Sequence, residues 1–306
     1  MEKQPTNRMT IPLSQLQTWS SQGSVPQSKN TYATVKAALE DGNATYKDRN
    51  FKVFLQGSYG NDTNIYAESD VDVVIRYDGA FYHDIDQRPA DEQAAFNAAY
   101  PNSGTYLYSD FKEHVRRALR AKFGDSVKPG SKAIRIEGND NRRNADVIIA
   151  FEYRRYNKFK ASYDESHVTG MCFFASDGTQ IANYPKQHSE NLTVKHQATG
   201  SKFKPLARIF KNMRSKLIED GLIAEGSAPS YYIEGLLYNV PNDQFVGDYQ
   251  DIYLNILKWL YETTDRSEFV CANEQYYLLR DNLHTCWACA DGDKFIDAAI
   301  KLWNDS

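Results

Sequence analysis

Apolar residues change their spacing once along this chain. From Lys52 to Tyr184, short runs place apolar side chains at every second position, the mark of strands. These runs are Lys52–Gln56, Ser69–Tyr77, Lys132–Ile136, Ala145–Phe151, Met171–Ser176 and Thr179–Tyr184. Asp177-Gly178 between the last two is a hairpin signal. Two helices break up the strand region. Tyr32, Val35, Ala38 and Leu39 form one helix-spaced stripe. Phe111, Val115, Leu119 and Phe123 form another, in a helix from about Asp110 to Phe123 that Ser109 would cap and Gly124 would stop. From Pro185 onward strand patterns vanish. Leu206, Ile209, Phe210, Met213 and Leu217 make one helical stripe, closed by Gly221, and Ile252, Leu254, Ile256, Leu257 and Leu260 another. The pattern predicts an α+β fold: residues 1–185 as a lobe with N-terminal helices and a sheet, residues 186–306 as an all-helical lobe.

Composition narrows the class without naming a chemistry. The 306 residues carry 25% charged and 41% apolar side chains, ordinary for a globular protein with room for two cores. A net charge of −4 argues against a surface built to grip a nucleic-acid backbone. Four cysteines are too few for a disulfide framework at this length. Cys286 and Cys289 have metal-site spacing but no second pair, and Leu283, Trp287 and Ala288 around them read as a buried helix. No apolar run approaches a membrane span and the first residues do not resemble a signal peptide, so a cytoplasmic protein is expected, with no membrane partner.

The candidate chemistry lies in the strand region. Asp70 and Asp72 share one face of a strand, with Cα atoms roughly 6.5–7 Å apart. Strands are depleted in Asp, and neighbouring carboxylates repel unless a cation neutralises them. Two such acids suit hard cations that take oxygen ligands. Upstream, the strand Lys52–Gln56 runs into Gly57-Ser58, where a bare backbone can approach a phosphate. Gly-Ser is common in ordinary turns; its weight here comes from standing ahead of Asp-x-Asp. Asp146 heads the later strand Ala145–Phe151 and is either a strand-end cap or a third carboxylate ligand.

Gly-Ser, then Asp-x-Asp, then a third Asp on a later strand resembles the DNA polymerase beta-like nucleotidyltransferases. Lys202-Phe-Lys-Pro-Leu-Ala-Arg-Ile-Phe-Lys-Asn-Met-Arg214 and Ala228-Pro-Ser-Tyr-Tyr-Ile-Glu-Gly-Leu-Leu-Tyr-Asn-Val240 are similar to strings in the bacterial CD-NTases, relatives of cyclic GMP-AMP synthase and oligoadenylate synthetase, in their uridine-using clade E. The resemblance implies a nucleotidyltransferase lobe with a mixed sheet, an oligoadenylate synthetase-like helical lobe, and an active site in the cleft between them. It implies two Mg²⁺ ions, with Mn²⁺ as a substitute, on Asp70, Asp72 and Asp146. It assigns Gln56, Gly57 and Ser58 to the nucleotide, sets Lys211 and Ser230 against the triphosphate, lays Tyr231 on a base and lets Asn183 read uracil. Each has a plainer reading: Lys211 as a solvated helix lysine, Ser230 as a helix cap, Tyr231 as packing, and Asn183 as a turn residue before Tyr184-Pro185.

The resulting expectation is a cyclic dinucleotide synthase that uses UTP and a second nucleotide such as ATP. It needs no nucleic acid, and its product, a second messenger in anti-phage defence, acts on a separate effector. Two alternatives stay open at this stage: a nucleotidyltransferase acting on a small molecule, tRNA or protein, and a non-catalytic nucleotide-binding module.

Overall fold

The computed structural model describes residues 11–23, 25–67, 70–101, 104–283 and 285–305. By internal contacts the chain forms two units. One consists of Val25–Tyr59 and Asp70–Pro185. The other consists of the described residues of Met1–Ser24, Gly60–Ser69 and Lys186–Ser306.

The first unit is a seven-stranded mixed sheet with helices, among them α4 (Ala90–Ala99), which packs along β5. Its spine is β5 (Ala145–Ala161), which pairs in parallel with β2 (Val71–Asp84). On the opposite edge of β5, β4 (Ile134–Ile136) lies along residues 145–147, and β6 (Asp164–Phe174) along 151–161, both antiparallel. β1 (Phe51–Leu55) pairs with β2, β3 (Val127–Pro129) with β4, and β7 (Gln180–Asn183) with β6. Period-two alternation gives the sheet two faces. Val71, Val73, Ile75, Ala145, Val147 and Ile149 are buried under α2 (Val25–Leu39) and α5 (Tyr108–Phe123), whose Val35, Leu39, Phe111, Val115 and Leu119 join the same core. The opposite face carries a smaller cluster of Val74, Ile148, Ala150, Met171 and Phe173. Asp72 and Asp146 are two residues ahead of Val74 and Ile148 on that face, at the end where the apolar cover stops.

The second unit is helical. Its core surrounds α7 (Phe203–Glu219), which buries Phe203, Leu206, Ile209, Phe210, Met213 and Leu217 with residues of α8 (Ser230–Asn239), α9 (Tyr249–Glu262) and the C-terminal helix Cys289–Asp305. α9 opens with a capping box: the Asp248 carboxylate accepts from the N–H groups of Gln250 and Asp251, and Asp251 reaches back to the Asp248 N–H.

Several expectations change. Helix α1 (Leu13–Ser20) buries Leu16 in the helical core, so the first lobe is not the continuous stretch 1–185. Strand β2 starts at Val71, leaving Asp70 just ahead of it; Ser69 lies outside the described residues. Ser109 falls inside α5, where Asp110 accepts from the Leu107 N–H instead, while Gly124 ends that helix at φ +55°. Leu254 is 44% exposed, so the α9 stripe lacks it. Cys286 precedes the last helix, Leu283 is 53% exposed and Ala288 is exposed, while Trp287 is core.

Candidate active site

The carboxylate site begins where β1 stops. The Gln56 N–H donates to the Asp72 carbonyl at 3.1 Å, carrying the pairing with β2 one residue past the strand. The chain then turns at Gly57, with φ +69°, into the single-turn helix α3 (Gly57–Gly60). A Cβ built at Gly57 would stand 2.0 Å from Oδ2 of Asp72. Gly57 is therefore required twice, by its left-handed backbone and by the carboxylate against it. Ser58, half-buried, is the second residue of α3.

Asp72 and Asp146 are register partners on the parallel strands β2 and β5, about 4.8 Å apart by strand spacing. Asp70 enters from the residue before β2. Its Oδ1 accepts from Asn144 Nδ2 at 3.1 Å, and its Oδ2 is 3.2 Å from the Arg135 guanidinium. Arg135 is itself the register partner of Asp146 across β4. Burial pushes the Asp146 carboxyl above the ordinary aspartate range, the Asp70 charge adds to this, and Arg135 opposes it. The donor set, three carboxylates with oxygen ligands only, fits hard divalent cations. Among the described residues, no three acid, His or Cys side chains converge into a preformed metal cluster; Asp70 is instead engaged by Arg135 and Asn144.

The residues that the resemblance assigns to the nucleotide sit in settings different from their sequence reading. Lys211 is neither a solvated helix lysine nor a cation open to phosphate: it is 0% exposed. Its Nζ donates to Glu234 Oε1 at 2.6 Å and to the carbonyl and hydroxyl oxygens of Thr63, both at 3.1 Å, using its three protons. Ser230 opens α8 and accepts from Arg214 at 3.1 Å. Tyr231, half-buried, stacks on His188 with ring centroids 4.8 Å apart and planes at 18°, and its hydroxyl accepts from Asn273 at 2.9 Å. Asn183 ends β7, and its Oδ1 accepts from the Tyr184 N–H at 2.8 Å.

The residues from 190 to 304 match the family model of the cGAS/DncV-like nucleotidyltransferase C-terminal helical domain. The chain is 37% identical to the cyclic nucleotide synthase CdnE01 of Staphylococcus haemolyticus, over 97% of this chain and 100% of that one. It is 38% identical to the cyclic UMP-AMP synthase of Rhodothermus marinus, covering 96% and 98% of the two chains. The chain belongs to the CD-NTase family. The solved Rhodothermus marinus CdnE c-UMP-AMP synthase with Apcpp and Upnpp superposes with a TM-score of 0.84 at 35% identity, over 96% of each chain. As a CD-NTase, the protein is a nucleotidyltransferase whose mixed sheet and helical domain follow the fold of those enzymes.

Two residues of this CD-NTase escaped the sequence reading. Glu234 and His188 are both buried, with 2.7 Å between Oε2 and Nε2. The legible signal was Glu234 within the apolar run Tyr231-Tyr-Ile-Glu-Gly-Leu-Leu237, since an unpaired Glu is almost never fully buried. Burial alone would raise its carboxyl; the Lys211 charge and the His188 and Lys211 hydrogen bonds outweigh this and hold it well below the ordinary glutamate range.

Proposed function

We propose that this CD-NTase joins two nucleoside triphosphates into a cyclic dinucleotide that contains at least one uridine. The observation that carries the reading is the pairing of Asp72 with Asp146 across β2 and β5, with Asp70 two residues ahead of Asp72 and Gly57 against the Asp72 carboxylate. Asp70, Asp72 and Asp146 would hold divalent cations, two Mg²⁺ or in their place Mn²⁺, which when bound neutralise triphosphate charge and make a ribose hydroxyl a better nucleophile. The hydroxyl attacks the α-phosphate of the second nucleotide and pyrophosphate leaves. The linear dinucleotide keeps its own triphosphate, and a second attack of the same kind closes the ring.

The chain's own groups bind and orient. Gly57 lets the backbone approach phosphate, with Gln56 and Ser58 beside it. Ser230 is a phosphate donor at the start of α8, and Tyr231 offers a ring face to a base, where stacking tolerates different bases. The Asn183 carbonyl is engaged by Tyr184, so its NH₂ is the group that would donate to a uracil carbonyl. The substrates are UTP and a second nucleotide such as ATP. The acidic net charge supports activity without nucleic acid. The product would act in the cytoplasm as an anti-phage second messenger on a separate effector, an assignment that rests on family analogy.

The test is the pair Asp70→Asn and Asp72→Asn in one protein. Product should vanish while the folded state survives, because removing the acids relieves repulsion rather than packing. Near-normal turnover with intact folding would overturn the assignment.

A further inference from the structure

Four segments that are distant in sequence meet on one buried carboxylate. Glu234, on α8, receives Lys211 of α7 at 2.6 Å and the Thr63 hydroxyl at 2.5 Å on Oε1. On Oε2 it faces Nε2 of His188, in α6 (Pro185–Ala198), at 2.7 Å. A carboxylate only accepts, so the ring nitrogen donates. All three side chains are nearly or fully buried: Lys211 at 0%, His188 and Glu234 at 3% each. Buried ions of this kind contribute little net stability, and well-packed apolar side chains of similar size do as well or better. Stability alone does not explain them.

Their geometry supplies another reason. Tyr231 and Glu234 are three residues apart on α8, so they lie on one helix face. The Glu234 carboxylate fixes His188 where its ring lies flat beneath the ring of Tyr231, at 4.8 Å and 18°. Asn273 holds the phenol tip at 2.9 Å, and Tyr232 meets the ring edge-on at 5.5 Å. His188 thus covers one face of Tyr231 and Asn273 holds its tip, while the ring is also packed against the helical core. We infer that His188, oriented by Glu234 and Lys211, is a positioning residue that holds Tyr231 as a rigid platform for a nucleobase.

The inference rests on the base-stacking role of Tyr231, and the experiment separates the two. Equilibrium binding is measured for Upnpp and for ribose 5-triphosphate, which carries the same phosphates and no base. His188→Leu and His188→Phe both give up the hydrogen bond to Glu234, but only Phe keeps a flat ring under Tyr231. His188→Leu should weaken Upnpp about tenfold, within the range that base–aromatic stacking spans. His188→Phe should recover part of that loss, the remainder reflecting the missing hydrogen bond to Glu234, and ribose 5-triphosphate should bind both variants as it binds the wild type. Equal weakening by Leu and Phe, or parallel weakening of both ligands, would reduce His188 to a packing residue and overturn the inference. Tyr231→Ala is the control: if it leaves Upnpp binding unchanged, the stacking role itself fails. If it weakens Upnpp while His188→Leu does not, only the positioning role fails. Should neither His188 variant fold, Asn273→Ser loosens the tip of Tyr231 without touching the ion pair. Selective weakening of Upnpp then supports a held ring, and unchanged binding overturns it.

Discussion

Replacing Gly57 by alanine should separate stability from catalysis. The backbone there sits at φ +69°, a conformation that costs a residue with a Cβ about 1–2 kcal/mol. In a domain of this size that lowers the melting temperature by a few degrees. The new methyl would also stand 2.0 Å from Asp72 Oδ2, whereas real Cβ contacts essentially never fall under 3.0 Å. The carboxylate must then retreat by at least about 1 Å. Because it is the end of a short flexible side chain, the retreat adds little to the folding cost. Function does not share that tolerance, since an error of about 1 Å in a reacting constellation can cost roughly 10²-fold in rate. Calorimetry and single-turnover product formation on the same preparation measure the two effects. The expected result is a melting temperature lower by a few degrees with a rate down about 100-fold or more. A folded variant with turnover within about threefold of wild type would refute the reasoning, because the Asp72 carboxylate would then not need its present place.

Asp146→Asn tests the electrostatics without any substrate. The folded-state pKa of Asp146 is raised, so its contribution to stability is fully present below the unfolded value near 3.9 and is lost as pH rises through the folded value. With divalent cations chelated, the Asn variant should therefore melt higher than wild type at pH 7, by roughly the effect of 1 kcal/mol, and the gap should close below about pH 4. A variant that melts lower at pH 7 contradicts this. Asn183→Ser should lose the preference for UTP over ATP or GTP in competition between labelled nucleotides, because the shorter hydroxyl cannot reproduce the amide; an unchanged preference would remove Asn183 from base selection.

The strand carboxylates were legible because period two is a strict rule. Asp72 within a Val-rich strand, with Asp70 just ahead of its first residue, conflicts with strand propensity, and that conflict is visible without coordinates. Asp146 was ambiguous in sequence, and only its register with Asp72 removes the ambiguity. The α7 stripe was equally plain, from Leu206 to Leu217, because helical burial follows from spacing within one element. Lys211 was misread because its burial depends on partners outside that element. Glu234 lies 23 residues downstream, and Thr63 comes from a segment 148 residues upstream. No local pattern reports a pairing of that kind. Helix α1 shows the same limit: its few apolar residues do not reveal which core receives Leu16.

The measurement that bears most directly on the function is product identification. The purified protein is incubated with ATP, GTP, CTP and UTP, each labelled in turn, with Mg²⁺ and no nucleic acid, and the products are separated by chromatography and weighed by mass spectrometry. A phosphatase-resistant cyclic dinucleotide that carries the uridine label is the predicted result. A product built from purines alone, or no cyclic product until DNA, RNA or another acceptor is added, would contradict it.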